Sequence, residues 1–551
     1  MNEEAVAWGT ARGRWVLGVT VLGSALGFLD ATVVNVALPA IGEDLDAGVA
    51  GLQWTVNGYL LTLSALILLG GSLADRLGRR RMFVSGVLWF TGASLLCALA
   101  PTVEALVLAR VLQGIGGALL TPGSLAILES AFRREDRARA IGAWSALSGI
   151  AAAGGPLVGG YLIGALSWRW IFLINLPLGL LVAFFALRHV PESRDETATG
   201  RLDVPGSALA AIGLGGVTFA LTRASEGGAV TGVIGVAGVL ALGAFLAVER
   251  RSAHPMLPLS IFSSRQFTAA NLLTFTVYAA LGGVFFLLVV YLQTSLGYSP
   301  LAAGAASLPI TGLMLALSSR AGALAQRRGP RLPLTVGPLL LAAGMALMLR
   351  IDPGDGYVGS VLPAVFVFGL GLAATVAPVT ATALAAAEEH HAGLASGVNN
   401  AVSRVAQLLA VAVLPLVAGL SGEDFADPAA LAAGFKIAMA TAAGLALAGA
   451  ALAFATISDD VLELCDGADL LIHDAQYTPA EFEQKRHWGH CTVDYAVHVA
   501  AEAGAKRLAL FHHDPSHDDT TVDCLLAGAR VTAGNRIDEV VAAYEGLTIL
   551  L

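Results

Sequence analysis

Charge is scarce in this 551-residue chain. Only 13% of its residues are charged, against 56% hydrophobic, and the mean hydropathy is +0.72. Soluble domains carry about 25% charged residues, so a chain of this size cannot cover a water-facing surface and must place most of its length in lipid. Disorder and fibrous repeats are excluded by the same numbers. Cysteine is also sparse: Cys97, Cys465, Cys491 and Cys524 make no disulfide framework. No GxxxxGK[ST] run is present, so there is no phosphate-cradling loop for ATP hydrolysis. The basic residues are too few and too scattered for a nucleic-acid surface, and no nucleic-acid partner is expected.

The charge that exists is unevenly placed. Residues 1–456 hold 26 Lys+Arg and 24 Asp+Glu, a net of +2, whereas residues 457–551 hold 6 and 17, a net of −11, together with 7 of the 11 histidines. A membrane protein followed by a short soluble module fits this division.

A bilayer core of about 30 Å needs about 20 apolar residues in a helix. Fourteen such stretches occur, starting near residues 15, 51, 82, 104, 139, 169, 206, 229, 267, 300, 332, 357, 393 and 431. The polar first 13 residues lead into an uncleaved first span rather than a signal peptide. Alternate loops are basic (Arg76/Arg79/Arg80/Arg81, Arg133/Arg134/Arg137/Arg139, Arg188/Arg194/Arg201, Arg250/Arg251/Arg265, Arg327/Arg328/Arg331) and the loops between them are acidic. By the positive-inside rule both termini are expected in the cytoplasm. The run Gly71-Ser-Leu-Ala-Asp-Arg-Leu-Gly-Arg-Arg80 recurs in register 251 residues later as Gly322-Ala-Leu-Ala-Gln-Arg-Arg-Gly-Pro-Arg331. A repeated loop in two halves is the sign of a transporter built from two bundles. Six spans before and six after leave spans 7 and 8 as an inserted pair.

These features resemble the major facilitator superfamily, and within it the fourteen-span drug:proton antiporters. The resemblance covers residues 14–456 and rests on several motifs together. Gly71–Arg80 is similar to the superfamily's signature between helices 2 and 3. Leu29-Asp30-Ala-Thr-Val-Val-Asn35-Val-Ala-Leu-Pro39 resembles the first-helix motif of the fourteen-span group, and Arg110-Val-Leu-Gln113-Gly-Ile-Gly-Gly117 the fourth-helix motif. Gly155-Pro156-Leu-Val-Gly159-Gly160 resembles the fifth-helix antiporter motif, and Trp168–Pro177 is typical of the group. The resemblance implies the major facilitator fold with 14 transmembrane helices in a 6+2+6 arrangement.

Intramembrane charges are costly and therefore functional candidates. Here they are Asp30, Arg110, Arg320, Arg404 and Lys436. Counting about 1.5 Å per helical residue puts Asp30 and Arg110 at similar depth in one bundle. Asp30 is expected to couple protons and Arg110 to modulate it; the alternative is a static ion pair. Asn35, Gln113, Asn399, Asn400, Arg404 and Gln407 are candidates for lining the cavity, and Asn and Gln in membranes also serve as interhelical glue. Arg320 and Lys436 lie near helix ends and can snorkel. Gly71, Asp75, Arg76, Gly78, Arg79 and Arg80 form an expected conformational switch loop, with Asp75 bridging to the opposite bundle when the cavity faces outward; plain topology is the alternative. Gly155, Pro156, Gly159 and Gly160 permit close packing and a bend in span 5. Few acids against a broad apolar lining suit amphipathic or hydrophobic drugs, cationic ones included.

The tail alternates strand and helix, with Ala468–His473 and Arg507–Phe511 read as extended and Thr492–Gly504 and Thr520–Thr532 as helical. Leu470–Tyr477, Trp488-Gly-His490-Cys-Thr492 and Leu510–Pro515 resemble the C-terminal half of a metallo-β-lactamase-fold hydrolase of phosphodiesterase type. The resemblance implies that Asp474 bridges two metals, His512 binds the second and His490 touches a substrate phosphate. The family's HxHxDH motif is absent from this chain, so a vestigial site is expected, with no metal required. A fusion remnant, a regulatory or self-associating module, and an artefactual join remain open.

The expected organisation is therefore a cytoplasmic N-terminus (1–13), a six-helix bundle (14–189), a linker with two inserted helices (190–266), a second six-helix bundle (267–456) and a cytoplasmic α/β module (457–551). The expected function is proton-coupled efflux of amphipathic small molecules across a bacterial-type inner membrane, with protons and the lipid bilayer as partners and no cofactor. A tethered hydrolase and a non-transporting sensor or scaffold are the alternatives.

Overall fold

The computed structural model describes residues 6–194, 203–252, 255–386, 392–457, 465, 467–485, 490–544 and 547–549. Arg201, Trp488 and Gly489 lie outside the described residues, as do the side chains of Arg134, Gln326, Arg327 and Arg328. The chain divides into two compact units, Met1–Ile457 and Ser458–Leu551.

Among the described residues the first unit contains 14 helical spans long and apolar enough to cross a membrane, and each begins within four residues of its predicted start. The helices are α1 (Ala11–Leu45), α2 (Val49–Leu77), α3 (Arg79–Ala98), α4 (Val103–Ala131), α5 (Arg134–Ala165), α6 (Trp170–Leu173), α7 (Asn175–His189), α8 (Val204–Thr222), α9 (Ala229–Arg251), α10 (Arg265–Thr294), α11 (Pro300–Ala306), α12 (Leu308–Arg328), α13 (Arg331–Met348), α14 (Leu362–Ala385), α15 (Ala392–Val417) and α16 (Pro428–Thr456). Three spans are each built from two helical segments: α6 with α7, α11 with α12, and the π-helical turn Tyr357–Val361 with α14. Polar residues stop the fraying that lipid would punish. Thr10, Thr102 and Ser264 accept hydrogen bonds from the first-turn amides of Gly13, Ala105 and Phe267, and Asp427 caps α16, which starts on Pro428.

Inside lipid, close packing replaces the hydrophobic driving force. The two bundles solve this alike. A Cβ on Gly116 of α4 would lie 2.6 Å from the Phe90 amide of α3, and one on Gly344 of α13 would lie 2.6 Å from the Phe368 amide of α14.

The bundles meet at one end, where α1 finishes and α2 begins. There Val36 and Ile41 of α1, Phe172 of α6, and Leu287 and Tyr291 of α10 belong to one core. Gln53 of α2 donates to the Val411 carbonyl of α15 (2.7 Å), Gln293 of α10 to the Val36 carbonyl of α1 (3.0 Å), and the Val49 amide to the Gly422 carbonyl (2.7 Å). At the other end the first bundle has its own core, to which the second contributes one buried residue, Leu408.

Among the described residues the second unit holds three parallel strands in the order β1 (Leu471–Asp474), β2 (Arg507–Phe511), β3 (Glu539–Ala542). Helices Val493–Glu502 and Asp519–Ala533 connect them and help close a small core of Val497, Leu508, Leu510 and Val540. The third strand and the short helix Pro479–Lys485 are additions to the predicted elements. The helix carries a signal that the composition obscured: Thr478 and Glu481 form a reciprocal capping pair, Thr478 Oγ1 accepting from the Glu481 amide and Glu481 Oε2 from the Thr478 amide.

Candidate functional site

Asp30 faces inward from the middle of α1, and Arg110 lies one turn into the buried stretch of α4. Each side chain is 1% exposed. Arg110 Nη1 donates to Asp30 Oδ2 and to Gln113 Oε1, both at 2.5 Å, and its Nε donates to the Thr55 carbonyl of α2 (3.0 Å). Gln113 Nε2 donates to Asp30 Oδ1 (2.8 Å) and to Ser94 Oγ of α3 (2.9 Å), which also receives Asn175 Nδ2 of α7 (3.3 Å). The guanidinium lies over the Tyr59 ring, 4.6 Å from its centroid, with Phe172 at 5.7 Å. Thus both carboxylate oxygens are satisfied, and residues of five helices converge on one buried pair. Gln113, a candidate for the cavity wall, is instead wholly buried as the third member of this network.

The other candidates separate. Asn35 bonds back to the Ala31 carbonyl. Asn399 is glue: it donates to Asn271 Oδ1 (3.3 Å) and Thr274 Oγ1 (2.9 Å) of α10. Asn400 is exposed and bonds to the Ser396 carbonyl. Gln407 backs onto Gly282, where a Cβ would lie 3.0 Å from its Cα. Arg404 is half-buried, and its Nε is buried without a hydrogen-bond partner. Arg320 is exposed and bonds to the Ala316 carbonyl of its own helix, and Lys436 pairs with Asp352 (2.6 Å).

In the 71–81 loop, Asp75 pairs with Arg79 at 2.8 Å rather than with the opposite bundle. The loop is clamped from a direction that sequence reasoning missed. Glu192 Oε1 accepts the Arg80 amide (3.0 Å), the Arg79 amide reaches the Ser193 carbonyl (2.8 Å), and Arg80 Nη1 reaches the Val190 carbonyl (3.1 Å). Gly78 turns the chain at φ +112°, which favours glycine, and a Cβ there would lie 2.7 Å from Glu192 Oε1 and displace that carboxylate. Gly71 lies beside Pro122 of α4. Arg76 closes α2 as the basic residue of its last turn. Nothing in the sequence singled Glu192 out, because residues 190–203 hold three further acids, Asp195, Glu196 and Asp203, beside Arg194 and Arg201.

The Gly155–Gly160 stretch sits between the two bundles. Gly155 lies against Thr32 of α1. A Cβ on Gly159 would lie 2.7 Å from Val33 Cγ1 of α1, and one on Gly160 would lie 2.6 Å from the Leu301 Cα of α11. The Pro156 carbonyl in turn fills the space beside Gly304.

Two profiles match the sequence. The one described as Major Facilitator Superfamily matches residues 20–411. The chain belongs to the major facilitator superfamily. A puromycin resistance protein of Streptomyces alboniger is 40% identical over 460 residues, covering 80% of this chain and 91% of that one. The multidrug resistance protein Stp of Mycobacterium tuberculosis is 36% identical, over 72% and 74%. The tetracenomycin C resistance and export protein of Streptomyces glaucescens is 35% identical, over 76% and 78%. Among solved structures, a bacterial homologue of the human lysosomal transporter Spinster in an inward-facing, unoccupied conformation aligns with TM-score 0.61 at 18% identity, over 81% of this chain and 97% of that one. A D-xylose–proton symporter aligns at 0.58 and 15%, over 81% and 98%. These two likenesses establish the fold, and the chain is a multi-pass membrane protein.

The second profile, described as Beta-lactamase superfamily domain, matches residues 373–513; the part beyond Ile457 supports the resemblance read in the tail. There His490 Nδ1 and His512 Nδ1 lie 3.0 and 3.1 Å from Asp474 Oδ1, and the three side chains offer ligand atoms within 4.8 Å of one another. Burial pushes the Asp474 carboxyl up, but the Cys491 amide (2.8 Å) and His490 outweigh it and hold it below the ordinary carboxylate range. Burial and then Asp474 push the Cys491 thiol up to about 12, so it donates to the Asp474 carbonyl rather than serving as a thiolate ligand. Two imidazoles and a carboxylate fit one divalent transition metal. They do not supply the second set of ligands that a two-metal hydrolase of this fold draws from HxHxDH.

Proposed function

We propose that the chain exports amphipathic or hydrophobic small molecules in exchange for protons, by alternating access across a bacterial-type inner membrane with both termini in the cytoplasm. The sealed Asp30–Arg110–Gln113 network carries this reading. A carboxylate this deep persists only while its cation is in place, because an unpaired buried charge costs several kcal/mol. Water reaching it in another conformation would let it take a proton. Arg110 would then lose its counter-charge, and the ties from α4 to α1 would weaken. Deprotonation would restore them. Protonation thus biases a two-state element, as coupling requires.

The conformation fits one half of that cycle. The bundles are joined at the end where the acidic loops lie, through Gln53, Gln293 and Gly160. With the basic loops in the cytoplasm this is the inward-open state. Asp75, resting on Arg79, is then the released half of the switch. Relatives with resistance and export functions support the substrate class. The test uses energised everted vesicles and a pH-sensitive dye. Substrate-triggered proton release by the wild type and none by folded Asp30→Asn supports the reading; release that persists in the variant removes Asp30 from it.

No cofactor is proposed for transport. For the tail we propose no independent hydrolase activity. A metal bound by Asp474, His490 and His512 would supply a Lewis acid; the chain's own residues there hold the donors in place. Metal content after dialysis against zinc, compared between wild type and Asp474→Ala, tests the site. Turnover of a phosphodiester by the purified full chain would contradict the activity reading.

A further inference from the structure

We infer that Arg404 makes this exporter selective for substrates carrying an anionic group, a carboxylate or phenolate on an amphipathic body. The inference rests on the exporter reading and narrows its substrate class. Arg404 lies 12 residues into the 26-residue helix α15, so about 18 Å from the helix start at ~1.5 Å per residue. That is mid-membrane, the depth at which transporters of two bundles hold substrate. Among the described residues, no helix of the second bundle contains an acidic residue. Asp30 is spent on Arg110 and Gln113. Among the described residues, Arg404 makes no hydrogen bond or ion pair, and its Nε is buried.

The surroundings deepen the case. Ala401, Val405 and Leu408 of the same helix pack on the first bundle's core. Arg404 is three residues from the first and four from the last, so it shares the face turned toward that bundle. It lies within electrostatic range of Tyr59 of α2 and Tyr278 of α10, one tyrosine from each bundle. Neither tyrosine hydroxyl has a hydrogen-bond partner among the described residues. The guanidinium and the two phenols in its electrostatic range offer donors, and among the described residues none of them meets an acceptor. An intramembrane cation without a partner is costly, and an anionic substrate group supplies the missing charge and acceptors together. A cationic substrate would meet the guanidinium with like charge.

The experiment uses the full chain in proteoliposomes and a set of fluorescent anthracene, acridine and naphthacene compounds, each made as carboxylate, amide and amine. The expected result is transport of the carboxylates. Arg404→Gln should lower it about tenfold or more, the loss of one charge-assisted contact, while the amides change less than about twofold. Arg404→Lys should recover part of the carboxylate transport and leave the amides unchanged. Equal losses for all three series in Arg404→Gln would overturn the inference, as would preference of the wild type for the amines. Transport of none of the compounds by folded wild type would contradict the exporter reading itself, a separate outcome.

Discussion

The loop 71–80 and its repeat 322–331 hold their backbones alike. Gly78 and Gly329 stand 251 residues apart and both adopt positive φ, +112° and +86°. Arg80 reaches the Val190 carbonyl just after the sixth span, and Arg331 reaches the Phe454 carbonyl at the end of the fourteenth. The chemistry around this shared geometry differs. The first loop adds Asp75, paired with Arg79, and the Glu192 clamp. The bundles differ in the same way. The first buries an acid, a base and an amide in one network; the second pairs Asn399 with Asn271 and Thr274 and, among the described residues, leaves Arg404 without a counter-charge. Repetition thus supplies the geometry the two bundles share, and in the cycle proposed above the departures from it would divide the labour: proton handling in the first bundle, substrate charge in the second.

The comparison breaks most readily at its two arginines. Arg110→Ala leaves Asp30 buried and unpaired and should cost about 3–5 kcal/mol of stability. Arg404→Ala removes a cation that none of the described residues satisfies and should cost well under that. Denaturation in mild detergent measures both, and equal losses would mean that Arg404 has a structural partner after all. Next come the glycines. Gly78→Ala and Gly329→Ala each meet about 1 kcal/mol or more of backbone strain at positive φ, and Gly78→Ala adds the collision with Glu192. The first should lower the melting temperature more than the second, and Glu192→Ala should narrow the gap.

Gly160→Leu would wedge α5 away from α11, where no space for a side chain exists. It should open the joined end, raising labelling of a cysteine placed at Gln53 several-fold while the labelling at the opposite end falls. Unchanged labelling would show that the bundles part elsewhere.

The smallest effect belongs to the tail. Lys485 and then Ser516 hold the Asp514 carboxyl far below the ordinary carboxylate range. Its stabilisation is therefore present above the unfolded value near 4 and is lost as pH falls through the lower folded value. Hydrogen exchange in tail peptides of the full chain should rise below about pH 4, and Lys485→Ala should weaken that dependence. Tail exchange that ignores pH in this range would remove Asp514 from its stability.

The spans were legible because lipid imposes a blunt rule: about 20 apolar residues, with polar breaks between. The Asp30–Arg110 contact was legible for a related reason, since charges are few and helical rise fixes depth. Contacts made by ordinary residues were not. Ser94, Asn175 and the Thr55 carbonyl complete the buried network, yet serine, asparagine and a backbone oxygen carry no positional signal in one sequence. Glu192 lies more than a hundred residues from the loop it clamps. Asn399 and Arg404 were both candidates for the cavity wall; only packing separates the first, which faces α10, from the second. In the tail, the parallel order of the strands follows from helical crossovers, but the strand Glu539–Ala542 is short and bordered by charge, and its partner lies 32 residues earlier.

The most direct test of the central claim follows protons without a membrane. Purified protein in weakly buffered detergent is given saturating substrate while pH is recorded. If Asp30 exchanges its proton against substrate, the wild type should release protons on binding when loaded at acidic pH, and Asp30→Asn, still binding substrate, should release none. Equal release from both proteins would contradict the account and place coupling outside the buried network of α1 and α4.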